Sequence, residues 1–215
     1  MLRFDYLRDP DEIERQSFVQ IRQLTDLSHF DADQQQVAMR LAHTSGDPGI
    51  VHDLHFSPGA VEAGLTALAR GADVLCDIEM VSHGISQRYL KGQTNCFLNA
   101  PAVAERARQT GETRAMAAMA EWPTHLAGNI VAIGNAPTSL FRLLELLDKG
   151  APRPALIIGM PVGFINAAES KQALWDIAPS EFQTPCITLL GRRGGSSLAA
   201  ATVNALARMA NGIRF

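Results

Sequence analysis

Two hydrophobic rhythms divide the chain. In the N-terminal third the apolar positions recur at helical spacing, and after Gly71 short apolar runs alternate with amphipathic stretches. Pro10 followed by Asp-Glu-Ile-Glu predicts a helix start, because proline suits the first turn and acidic side chains there oppose the helix dipole. Ile13, Phe18, Ile21 and Leu24 form its apolar face. Asp31 predicts the cap of a second helix that runs through QQQVAMRLAH to about Gly46. Pro58 to Arg70 reads as a third, stopped by Gly71. Beyond it, runs rich in Val, Ile and Leu at 72–78, 94–98, 129–134, 155–159 and 186–191 predict strands. Helical stretches at 101–109, 113–122, 138–148, 167–175 and 196–209 fall between and after them. Such alternation predicts a parallel sheet covered on both faces. The expected fold is a doubly wound α/β domain of about five strands with a helical N-terminal extension, one domain over residues 1–215. In such sheets ligands bind beyond the C-terminal ends of the strands, which directs attention to the loops after these runs.

Composition narrows the function classes. With 47% hydrophobic and 19% charged residues the chain is too apolar to be disordered. A net charge of −3 gives no footprint for sequence-blind nucleic-acid binding. The N-terminus is charged from Arg3 onward and carries no signal-like apolar segment, and no window approaches the roughly 20 apolar residues of a membrane span. A cytoplasmic protein is expected. Cys76, Cys96 and Cys186 lie far apart in apolar runs, which predicts small buried hydrophobes, not a disulfide frame or zinc site. Of 19 basic residues 16 are Arg, whose planar fork pairs with carboxylates at two points where Lys cannot. A GC-rich genome would produce the same bias.

Three loops look alike. GNAPTSL (134–140), GMPVGFINAAESK (159–171) and GRRGGSSLAAA (191–201) each follow a strand and enter a helix, offering helix-start N–H groups to an anion. None is a Walker loop or a GxGxxG fingerprint. Arg40 and His43 fall three apart near the end of the second helix, and so on one face. His52 and His55 flank Asp53 without completing a metal-ligand set. Asp77, Glu79 and His83 follow a strand, where a carboxylate pair could serve acid–base chemistry or simply a solvated turn.

Taken together, IERQSFVQIR, RLAH, DVLCDIEMVSHGI, GETRAMAAM, VAIGNAPTSLFRLLELL, GMPVGFINAAESKQAL and GRRGGSSLAAATVNALA resemble the precorrin-8X (cobalt-precorrin-8) methylmutase family, in the same order and over nearly the whole chain. The resemblance implies a flavodoxin-like fold, a homodimer, and an isomerase moving a methyl group from C11 to C12 of the corrin ring. It implies His43 as the catalytic acid/base, and Ser17, Arg40 and Arg114 as substrate-binding residues. No cofactor or protein-bound metal is expected, since cobalt, where present, arrives inside the tetrapyrrole substrate. No nucleic-acid or membrane partner is expected. Two other classes compete: a non-catalytic α/β module binding a nucleotide or other anion on the same loops, and a hydrolase built on Asp77, Glu79 and His83.

Overall fold

The computed structural model of the chain describes residues 3–215. Helix α1 (Pro10–Leu24) is capped by Asp9, whose carboxylate accepts the Glu12 N–H at 2.9 Å. Helix α2 (Ala32–Ser45) opens with a reciprocal capping box: Asp31 accepts the Gln34 N–H, and the Gln34 side chain accepts the Asp31 N–H. It ends at Gly46, which takes φ 64°, a left-handed turn that a side chain would resist.

A 3-10 turn (Pro48–Asp53) then leads into strand β1 (Leu54–Phe56). Helix α3 (Ala60–Ala69) begins two residues later than the pattern predicts, because Pro58 and Gly59 are spent on the turn before it. There follow β2 (Val74–Cys76), α4 (Glu79–Gly84), a 3-10 turn (Gln87–Tyr89), β3 (Thr94–Cys96) and α5 (Pro101–Thr110). The helix expected over 113–122 is only α6 (Arg114–Ala118), tightening into a 3-10 turn (Met119–Thr124) around Pro123, which has no N–H to continue the ladder. The rest is regular: β4 (Ile130–Ile133), α7 (Pro137–Asp148), β5 (Leu156–Gly159), α8 (Ala167–Ile177), β6 (Cys186–Leu189) and α9 (Ser196–Ala210).

The sheet has six strands in the order β1-β6-β5-β4-β2-β3, one more than predicted. All neighbours are parallel except β1, which pairs antiparallel with β6 through Leu54 opposite Leu189. A three-residue edge strand is too short to show a period of its own.

Alternate side chains of the central strands feed two cores. Val74, Ile130, Leu156, Ile158 and Ile187 pack with α2, α3 and α9 on one face. Leu75, Val131, Ile133 and Ile157 pack with Leu140, Leu143 and Leu174 of α7 and α8 on the other. Each such side chain, fully removed from water, contributes about 1.5–3 kcal/mol. Helix α9 is buried nearly all round, its alanines letting it lie close on β4 and against α2, α3 and α4. Among the described residues no helix is long and apolar enough to cross a membrane.

Candidate active site

Burial of one stripe of α2 (Val37, Leu41 and their neighbours) against α9 leaves Arg40, His43 and Thr44 on its free side. Helix α1 crosses there and sets Phe18 against the histidine. The two rings stack at 5.3 Å between centroids with 21° between planes, and Phe215 stacks on Phe18 at 3.8 Å. The guanidinium of Arg40 lies over both phenyl rings, 5.0 Å from Phe18 and 4.3 Å from Phe215. It is ion-paired with Glu14 of α1 at 3.0 Å, and Arg208 of α9 approaches the same carboxylate at 3.4 Å.

This setting acts on the imidazole. Its partial burial against Phe18 pushes the His43 pKa below the ordinary 6.5, the positive charge of Arg40 pushes it further down, and Glu14 opposes both. The ring is therefore neutral at pH 7 in the free protein, and once protonated it is a stronger acid than free imidazole.

Ser17 sits beside Phe18 on α1, with its hydroxyl turned back onto the Ile13 carbonyl at 2.7 Å. The fold thus gathers Ser17, Arg40 and His43 around one aromatic pair. Arg114 stands apart. It begins α6, which packs on α7 at the other side of the sheet, and it donates to the Asn99 side chain at 2.8 Å and to the Leu98 carbonyl.

The three look-alike loops are not open anion cradles. The carboxylate of Asp77, buried at the end of β2, accepts the N–H groups of Gly134, Asn135 and Ala136 at 2.8–3.0 Å and so occupies the GNAP loop. Burial pushes this carboxyl up and the three N–H groups pull it down. Such a fully engaged group holds a loop, so the hydrolase arrangement of Asp77, Glu79 and His83 has no geometric support; Glu79 pairs with His83 one turn on at 3.9 Å and accepts from the Asn99 amide at 3.4 Å.

The other two loops are laced to each other. Gly163 donates to the Arg192 carbonyl, Gly195 to the Met160 carbonyl at 2.8 Å, and the buried Lys171 ammonium to the Arg193 carbonyl. Burial brings the Lys171 pKa down to about 8. Arg193 turns inward to Asp47 at 2.6 Å and Asp53 at 2.8 Å, clamping the turn that follows His43. Cys76 and Cys186 are buried and Cys96 partly so, all unpaired, as the composition suggests. His55 packs edge-on against Trp175 with Nδ1 on the Asp53 carbonyl.

Sequence alone does not mark Glu14, Phe18, Phe215 or Arg208 as site residues. Phe18 reads as ordinary helix core, and nothing local joins α1 to α9 or to the C-terminal aromatic.

A layered α/β fold sets the His43 imidazole beside Arg40 at the junction of α1, α2 and α9. Residues 12–209 match the family model described as precorrin-8X methylmutase, and the chain belongs to that family. A precorrin-8X methylmutase of Pseudomonas aeruginosa is 49% identical over 205 residues, covering 94% of this chain and 97% of that protein. A cobalt-precorrin-8 methylmutase of Priestia megaterium is 35% identical, covering 94% and 89%. The crystal structure of precorrin-8X methyl mutase from Thermus thermophilus superposes with a TM-score of 0.85 at 39% identity, over 94% of this chain and 98% of that one.

Proposed function

We propose that the chain moves a methyl group from C11 to C12 of precorrin-8X or its cobalt form, with His43 as the proton-handling residue. The migration itself follows from membership of the methylmutase family, an isomerase family of corrin biosynthesis. The observation that carries the role of His43 is its ring, stacked on Phe18 at the free side of α2 and held below its ordinary pKa beside Arg40.

The chemistry suits this residue. A methyl shift along a conjugated ring is eased when the macrocycle is made more cation-like. A proton donated near the migrating group does that, and its return to the imidazole after migration leaves the enzyme unchanged. No electron is gained or lost. A substrate fringed with carboxylates raises the pKa of a nearby histidine, so binding itself loads the proton that the depressed intrinsic pKa then releases readily. Positioning of the ring supplies much of the remaining acceleration. Ser17, Arg40 and Arg114 are read as substrate contacts. No resident cofactor is needed, cobalt being carried by the substrate.

We read the assembly as a homodimer with sites completed across the interface. Arg114 lies away from His43 within one chain, and Phe164 and Ile165, 88% and 80% exposed, form with Val162 an apolar tip beyond β5. A stable, fully active monomer in sedimentation would refute that arrangement. The activity is tested by incubating the protein with each substrate form and following the visible spectrum, since the shift alters conjugation. No spectral change with either form would overturn the assignment.

A further inference from the structure

A cleft of about 380 Å³ opens between the end of α2, the turn after α4 and one face of α9. Its floor is Gly84, Ala200 and Ala201, and the helix and turn meet so closely that a Cβ on Gly84 would lie 2.8 Å from the Ala200 methyl. The turn is fastened to α9 by two asparagines. Asn204 accepts the Ser86 N–H and donates to the Gly84 carbonyl, both at 2.8 Å, and Asn211 donates to the Tyr89 carbonyl at 2.9 Å.

Three arginines, Arg40, Arg88 and Arg208, line this cleft. Arg88 and Arg208 both lie over the Tyr89 ring, at 4.5 and 5.7 Å. Among the described residues, Glu14 is the single carboxylate paired with Arg40 and Arg208, and Arg88 has none. Three guanidinium groups therefore face one internal carboxylate. The buried Nε atoms of Arg40 and Arg208 also lack a hydrogen-bond partner. In a chain whose net charge is −3, that is a concentrated local excess of positive charge with unused donors.

We propose that this cleft is a carboxylate-binding subsite in which Arg88 and Arg208 hold the acidic side chains along one edge of a flat macrocycle, the small-residue floor letting the ring edge lie close. Rigid forks braced on an aromatic ring fit two-point pairing with carboxylates. The proposal rests on the tetrapyrrole reading of the site and adds Arg88 and Arg208 to it.

Uroporphyrin, a fluorescent polycarboxylate tetrapyrrole, and its methyl ester provide the test. The wild-type protein should bind the acid and not the ester. Arg88→Gln and Arg208→Gln should each weaken binding about tenfold and flatten its salt dependence. Arg108→Gln, at an exposed α5 arginine outside the cleft, should not. Arg88 makes no ion pair among the described residues, so its variant keeps the fold even if Arg208→Gln, which frees Glu14, does not. In turnover the Arg88 variant should raise KM by more than it lowers kcat.

Absence of acid binding, unchanged affinity in Arg88→Gln, or displacement of the porphyrin by inorganic phosphate alone would overturn the subsite. Turnover of the methyl shift with an unchanged KM in Arg88→Gln would overturn it and leave the isomerase standing. Arginine-dependent porphyrin binding without any methyl shift would do the reverse.

Discussion

The imidazole of His43 lies nearly parallel to the ring of Phe18, 5.3 Å away, so α1 sets the plane in which the histidine can present its nitrogens. One face of the imidazole is covered by hydrocarbon while its edge stays open. That is a suitable way to hold a proton donor: orientation comes from packing, and among the described residues no hydrogen bond to the ring competes with the substrate. Replacing Phe18 by Leu tests this. It leaves an apolar side chain at a position only 5% exposed but removes ring volume, so stability should fall by roughly 1–3 kcal/mol. Loss of the stack should nevertheless lower kcat several-fold with KM little changed. A kcat equal to wild type would show that the stack serves the fold alone.

His43→Asn should fold and bind product like the wild type and lose turnover by roughly 10²-fold or more, the scale of a removed general acid. Near-normal turnover in a folded variant would end the proposed role.

The pH profile carries the sign of the same role. If protonated His43 is the active form, kcat/KM reports the free enzyme and should decline as pH rises through a pKa below 6.5, because burial, aided by Arg40 and opposed by Glu14, depresses it. Removing the neighbouring charge in Arg40→Ala should move the NMR titration of His43 upward. A downward shift, or none, would mean that Arg40 does not govern this imidazole.

Arg40→Lys and Arg114→Lys keep the charge and lose the fork. Each should weaken product binding by roughly 1–3 kcal/mol, the scale of a charge-assisted hydrogen bond, and methyl esters of the product should mimic the loss. Dissociation constants decide it. Unchanged affinity in both would assign Arg40 to its internal partner Glu14 and Arg114 to Asn99.

Asp77→Ala leaves three N–H groups of the 134–136 loop without their acceptor in a buried place. The expected cost is about 3 kcal/mol in urea unfolding, through unsatisfied buried donors. A loss below about 1 kcal/mol would show that water replaces the carboxylate there.

Much of this architecture is legible in residue order because it depends on local periodicity. Apolar runs of four residues between amphipathic helices announce a parallel sheet, and the Asp31 cap with Gly46 marks both ends of the helix that carries His43. Arg40 and His43 share a face through helical spacing alone. The motifs also sufficed to indicate the methylmutase family.

Tertiary packing decided the rest. The edge strand Leu54–Phe56 exists only by pairing with β6, so its sequence shows no signal. The glycine-bearing loops look in sequence like anion cradles, yet their N–H groups are taken by Asp77 and by each other, partners placed by crossover connections. Arg193 and Arg208 are alike as letters. One is spent clamping Asp47 and Asp53, while the other reaches Glu14 beside a cleft with donors to spare. Sequence by itself determined the long helices and the five parallel strands, and which face of α2 bears the histidine, because those follow from spacing within one element. Which charges are neutralised, and which remain for a ligand, depends on helices α1, α2 and α9 meeting at one point, and only the folded chain brings them there.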